Sequence, residues 1–255
     1  MIRRGLADDR AGAEAAVRAG MVTVGGAPAT NAATLVDPSV AVRVEEPSRE
    51  YVSRGGQKLA AALSRFGVDP SDRDCLDAGA SAGGFTDCLL RAGAARVAAV
   101  DVGYGVLAWS LRGDERVTVL ERTNVRFLDR ASLPFVPSLV VADLSFISLR
   151  TAAPSLVALT SDGGELLLLV KPQFELSPAV VGAGGIVREP DGWRRAIEGV
   201  ATTCERVGAA AIGVMPSPIL GRGGNVEFFV HARVGAAASP LEVDKAIREA
   251  GEPAR

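Results

Sequence analysis

Seven short, mainly apolar runs fix what this chain can fold into. They fall at residues 75–78, 97–100, 117–120, 139–142, 166–170, 210–214 and 226–230. A strand with one wet face alternates apolar and polar residues, whereas a strand buried on both faces need not. Runs this short are strands rather than helices, and helical stretches such as 85–92 and 193–207 lie between most of them. Strand and helix therefore alternate. The expected class is α/β: a mostly parallel seven-stranded sheet with helices on both faces. No long helix fits between Val214 and Val226, so the last two strands are read as antiparallel neighbours.

Ahead of this sheet lies a smaller unit, residues 1–46. An Ala-rich helix over 11–19 stops at Gly20. A strand over 21–24 runs into the Gly25-Gly26 turn, and 40–44 reads as another short strand. Residues 47–56, with Pro47, read as a linker. A helix opens at Lys58 and ends at Gly67, the main domain spans 57–240, and the tail over 241–255 reads as a loose terminal helix.

Composition removes several classes of function. A single histidine, His231, cannot supply a two-histidine metal site, and no Gly-x-Ser-x-Gly elbow accompanies it for a serine triad. Cys75, Cys88 and Cys204 contain no Cys-x-x-Cys pair, so neither a zinc ribbon nor a disulfide framework is expected, and a reducing cytoplasm suits them. No metal is expected. No apolar run approaches the roughly 18–20 residues of a membrane span. The N-terminus carries no apolar signal region. A net charge of -2 gives no global sign of nucleic acid, so any RNA binding must use local patches.

Chemistry gathers at the strand ends. Asp77 to Phe85, Asp-Ala-Gly-Ala-Ser-Ala-Gly-Gly-Phe, joins the first sheet strand to its helix. Small residues let backbone approach a ligand, and Asp101 ends the next strand, where a carboxylate holds ribose hydroxyls. Ser81 stands where a dinucleotide fingerprint needs its middle glycine. An adenosyl ligand without pyrophosphate fits better, and S-adenosylmethionine is the expected cofactor.

Asp143 and Lys171 directly follow two of the apolar runs. Glu227 sits between Val226 and Phe228 in a third, and Lys58 opens a helix, a place the helix dipole makes poor for a cation. The alternative for Asp143 and Lys171 is a purely structural ion pair. Lysine usage weighs against it. Only Lys58, Lys171 and Lys245 are lysines among 28 lysines and arginines. Lysine can lose its proton when desolvated and arginine effectively cannot. Two of the three therefore stand where proton or close-charge chemistry is expected.

Together these motifs resemble the TlyA (hemolysin A) family, ribosomal RNA cytidine 2′-O-methyltransferases of the wider FtsJ-like group. The likeness rests on Ser53 to Leu59, Asp77 to Thr86, Asp101 to Gly105, Arg122 to Arg126, Val141 to Ser148, Lys171 to Glu175 and Gly224 to Phe229, in order along nearly the whole chain. It is nearest to actinobacterial members, which act on both ribosomal subunits. It implies an N-terminal RNA-binding domain like that of ribosomal protein S-four and a Rossmann-like methyltransferase domain. It also implies a catalytic tetrad of Lys58, Asp143, Lys171 and Glu227. Cofactor contacts would come from Gly79, Ala80, Ser81, Gly83, Gly84, Phe85, Asp101, Asn124 and Asp143. The family's interdomain element maps onto Arg49 to Val52. Its first helix opens about ten residues before Arg3 with an element absent here, so the first unit is expected to bury less apolar area.

The expected reaction is in-line methyl transfer, with Lys171 held by Asp143 and Glu227 and with Lys58 orienting the ribose. Arg3, Arg4, Arg10 and Arg18 on the first unit, and Arg54, Arg122 and Arg126 near the catalytic mouth, are expected to meet RNA phosphates. Ribosomal RNA and ribosomal subunits are the expected partners of a monomeric enzyme. The rival readings are a dinucleotide-dependent oxidoreductase, a haemolysin and a catalytically silent ribosome-binding factor.

Overall fold

The computed structural model describes all residues except 5, 8, 9, 19, 45–49, 183 and 252–255, and the side chains of 3, 11, 15 and 222 are likewise outside the description. The chain divides into two compact units, Met1–Arg49 and Glu50–Arg255.

In the first unit α1 (Arg10–Arg18) packs on a small antiparallel sheet of β1 (Val22–Val24), β2 (Ala27–Pro28) and β3 (Val42–Val44), in the order β2-β1-β3. Ala16, Val17 and Val22 are its buried centre, a modest core that suits so short a segment.

The second unit is built on seven strands: β4 (Asp74–Ala78), β5 (Arg96–Val100), β6 (Val117–Leu120), β7 (Leu139–Ala142), β8 (Glu165–Val170), β9 (Ala209–Pro216) and β10 (Phe228–Val234). Their order is β6-β5-β4-β7-β8-β10-β9, with β10 antiparallel to both neighbours and every other pairing parallel. The antiparallel pairing of the last two strands is therefore as expected, with β10 inserted between β8 and β9. Successive residues of each strand serve opposite cores. Leu76, Ala98, Val140, Leu166 and Leu168 face a layer made by α5 (Leu149–Leu159), α7 (Pro190–Arg206) and α8 (Val243–Gly251). Cys75, Val97, Leu139, Leu167 and Leu169 face α2 (Gly55–Phe66) and α3 (Gly84–Arg91). Burial on both faces is why the strands read as unbroken apolar runs.

Three local expectations change. α2 begins at Gly55 rather than Lys58. Its glycines are there for packing: a side chain at Gly56 would occupy the space of the Tyr51 ring. Glu227 lies one residue before β10, not within it. The terminal helix α8 is docked rather than loose, with Val243, Ala246 and Ile247 buried in the larger core. The end of α2 is as read: Gly67 adopts φ 66°, and its N–H bonds back to Ser64 O.

The chain runs outward through β4, β5 and β6, then returns to place β7 on the other side of β4. Loops leaving β4 and β7 part in opposite directions and leave a crevice beyond the carboxyl ends of these strands, where open α/β sheets bind ligands.

Candidate active site

The glycine-rich turn after β4 forms one wall. Gly79, Ser81 and Gly83 all take left-handed backbone conformations, with φ of 86°, 48° and 96°. A Cβ at Gly79 would lie 2.6 Å from the Asp143 carbonyl oxygen, so only glycine lets this turn pass so close to the end of β7. Gly79 N and Ala80 N both donate to Val100 O, at 2.8 and 3.1 Å, tying the turn to β5. Asp101 accepts from Ser81 N at 2.8 Å and from Gly103 N at 2.7 Å, so its carboxylate bridges the two loops. A small pocket beside it is lined by Ala80, Asp101, Val106, Leu107 and Val119. It sets a narrow apolar slot beside an oriented carboxylate. Asn124 lines neither this pocket nor the adjoining cleft; its side chain accepts from Arg126 N and caps a turn at Val125–Phe127.

The cleft itself measures about 620 Å³ and opens beyond β4, β7 and β8. Lys58, Asp143, Lys171 and Glu227 all line it, with Gly79, Ser81, Gly84 and Phe85 on the wall made by the glycine-rich turn. The four charged residues form two pairs. Lys58 Nζ donates to Glu227 Oε2 at 2.6 Å, with 11% and 2% of the side chains exposed. Lys171 Nζ lies 2.5 Å from Asp143 Oδ1, off the hydrogen-bonding direction, and donates to Ser145 Oγ at 3.0 Å. Glu227 thus holds Lys58 and not Lys171, which corrects the expected arrangement. The physical reason is adjacency: Lys171 has Asp143 and Ser145 on the adjoining strand end, and the buried Glu227 carboxylate compensates Lys58 in the first turn of α2, where the dipole opposes a cation.

Beneath the turn, Asp77 is fully buried. Burial pushes its carboxyl up to about 7 despite a 2.7 Å hydrogen bond from Thr86 Oγ1, and its Oδ1 has no hydrogen-bond partner. Sequence reasoning quoted Asp77 inside the turn and gave it no role; an acid flanked by apolar strand residues was the available signal. Ser145, Phe146 and Glu175 were passed over in the same way.

The arginines divide by environment. Arg54 is exposed and lines the cleft. Arg122 lies over the Tyr104 ring at 4.4 Å, and Arg126 near the Phe127 ring at 5.1 Å, all four residues being exposed. In the first unit Arg4 donates to Val40 O and Pro38 O, Arg10 pairs with Glu14 at 2.9 Å, and Arg18 is exposed. The Arg3 side chain lies outside the described residues. Among the described residues no cluster of three or more His, Cys, Asp or Glu could hold a metal, and no helix is long and apolar enough to cross a membrane. The three cysteines are buried, which pushes each thiol up to about 12.

Residues 51–234 match the model of the FtsJ-like methyltransferase family. The 16S/23S rRNA (cytidine-2′-O)-methyltransferase TlyA of Mycobacterium tuberculosis is 49% identical over 234 residues, 91% of this chain and 87% of that one. Hemolysin A of Brachyspira hyodysenteriae is 35% identical over 89% of this chain and 95% of its own length. A solved structure from Streptococcus thermophilus, described as a candidate hemolysin, superposes with a TM-score of 0.79 at 36% identity, over 97% of this chain and 92% of that one.

Proposed function

The chain belongs to the TlyA family of FtsJ-like methyltransferases, and from that premise we propose that it methylates the 2′-oxygen of a cytidine ribose in 16S and 23S ribosomal RNA. One observation carries the reading. Two lysine–carboxylate pairs face the glycine turn across a single cleft at the switch point of the sheet.

When bound, S-adenosylmethionine supplies a methyl group made electrophilic by its sulfonium. Asp101 and the turn from Gly79 to Phe85 would hold it. The protein's remaining task is to raise the nucleophilicity of a ribose hydroxyl and keep it in line, with reacting atoms roughly 3–3.5 Å apart. Lys171, positioned by Asp143 and Ser145, enters the step as the neutral amine and accepts the 2′-hydroxyl proton as the oxygen becomes nucleophilic. Asp143 then compensates the charge that Lys171 gains with that proton. Lys58, held by Glu227, orients the ribose. The first unit, with Arg18 exposed, and Arg54, Arg122 and Arg126 would bind RNA phosphates, which makes affinity fall steeply with salt.

The test is methyl transfer onto separated ribosomal subunits, with mapping of the modified nucleotide. A 2′-O-methylcytidine in both subunits is expected; a subunit that takes no methyl overturns the proposal for its RNA, and no transfer to either overturns it whole. Lys171→Arg places a permanent cation at this position and is expected to abolish turnover, because arginine cannot take up the proton. Near-normal transfer by that variant would sink the proton-accepting role.

A further inference from the structure

Two loops supply the Lys171–Asp143 pair, and they are joined by more than that pair. The loop after β7 runs from Asp143 to Ser148, where α5 begins. The segment after β8 runs from Lys171 through the single turn α6 (Pro172–Glu175). Contacts between them form successive rungs. At the first, Lys171 meets Asp143 at 2.5 Å and Ser145 at 3.0 Å. At the second, the Phe174 and Phe146 rings lie 5.4 Å apart. At the third, Glu175 accepts from Ser148 Oγ at 2.5 Å and from Leu149 N at 2.6 Å.

The third rung is buried and the middle one is strained. Only 2% of the Glu175 side chain is exposed. Its carboxylate takes an otherwise unpaired N–H at the start of α5 and lies 3.4 Å from Arg150 Nε, whose guanidinium also donates to the Glu175 carbonyl oxygen at 2.6 Å, while Ser148 Oγ accepts from Arg150 N. Phe146 has φ 64°, a left-handed conformation that is unusual for a bulky side chain, and the residue is 88% exposed. Little packing of its own holds Phe146 in that shape. The anchors on either side do: Ser145 on Lys171, and Ser148 on Glu175.

We propose that Glu175 is a positioning residue, whose clamp on Ser148 and Leu149 sets the 144–148 loop so that Ser145 and Asp143 hold Lys171 for catalysis. The proposal rests on the methyltransferase reading above. It assigns the effect to the reach of the carboxylate onto Ser148 and Leu149 and not to its ion pair with the half-exposed Arg150, and that gives a sharp test. Glu175→Asp keeps the carboxylate but is a methylene too short to reach both donors. Glu175→Gln keeps the length: its oxygen can accept from Leu149 N, and its amide can donate to Ser148 Oγ.

The experiment measures kcat, the KM for RNA and the cofactor Kd for both variants, for Ser145→Ala and for the Glu175→Asp/Ser145→Ala double variant. Glu175→Asp should lower kcat by about tenfold or more, with KM and Kd within about twofold, while Glu175→Gln stays near wild type. The double variant should be no worse than the poorer single, since both act through Lys171. The reverse order, with Asp retained and Gln lost, overturns the proposal and marks a charge effect. So do multiplicative losses in the double variant, or a Kd that rises in step with the fall in kcat. Should wild type itself transfer no methyl, the functional reading fails, and hydrogen exchange over residues 144–149 then decides this point. Faster exchange there in Glu175→Asp, with the rest of the protein unchanged, supports the clamp; unchanged exchange overturns it.

Discussion

Glu227→Gln isolates what the buried Lys58–Glu227 pair contributes. The substitution conserves volume and removes the charge, leaving an ammonium with 11% of its side chain exposed and no anionic partner within reach of its 2.6 Å hydrogen bond. Breaking a buried pair from one side costs roughly 3–5 kcal/mol, because the surviving charge stays desolvated. For a unit of this size each kcal/mol moves the melting temperature by about 2–4 °C, so a fall of roughly 6–20 °C is expected. The converse variant, Lys58→Met, should cost less. The orphaned carboxylate would sit near the first turn of α2, where the dipole favours an anion by about 0.3–1 kcal/mol and had opposed the lysine by a similar amount. The double variant Lys58→Met/Glu227→Gln, which removes both charges, should recover most of the lost stability and no activity. Urea denaturation of all four proteins gives the cycle, with methyl transfer measured in parallel. If Glu227→Gln is as stable as wild type, the pair is neither buried nor coupled in solution. If the double variant transfers methyl at a near-normal rate, Lys58 has no part in the reaction.

Two further outcomes follow from the same geometry. S-adenosylmethionine at about 100 times its Kd should stabilise the protein by roughly 2.7 kcal/mol while NAD does not, and Asp101→Ala, which removes the carboxylate bridging Ser81 N and Gly103 N, should abolish the shift; an equal shift with NAD would reinstate the oxidoreductase reading. At the opposite ends of the strands, burial pushes the Glu165 carboxyl up, but hydrogen bonds from Arg233, Arg73 and His231 outweigh it and hold the group at about 2. Its stabilisation is therefore complete above about pH 4.5 and lost as pH falls toward 2, roughly 3 kcal/mol in all. Glu165→Gln should flatten the acid limb of the stability curve between about pH 5 and 2, and an unchanged limb would refute the assignment.

How much of this could be read in the residues depends on the range of the interaction. The sheet was legible because burial on both faces writes itself locally, as runs such as Leu166 to Val170. Gly55 and Gly56 misled because glycine reads as a breaker; Gly56 in fact admits the Tyr51 ring against α2 and Gly55 lies beside Ser53 and Phe85, tertiary contacts with no local mark. The terminal helix looked loose because a short amphipathic segment does not reveal whether its face meets a partner; Val243, Ala246 and Ile247 do. The cleft shows the same division. Which residues reach it follows from strand ends and fold topology, so Asp143 and Lys171 could be named. Who pairs with whom does not, since Glu227 is 169 residues from Lys58 and nothing in the chain distinguishes that lysine from Lys171 as its partner. Both lysines stand at a helix N-terminus, Lys58 in the first turn of α2 and Lys171 as the residue before α6, so helix position does not choose between them; adjacency does, since Lys171 has Asp143 and Ser145 on the adjoining strand end. The same logic extends to Glu175, a buried anion at the start of α5, whose four-residue separation from Lys171 was visible all along but acquires meaning only once β7 and β8 lie side by side.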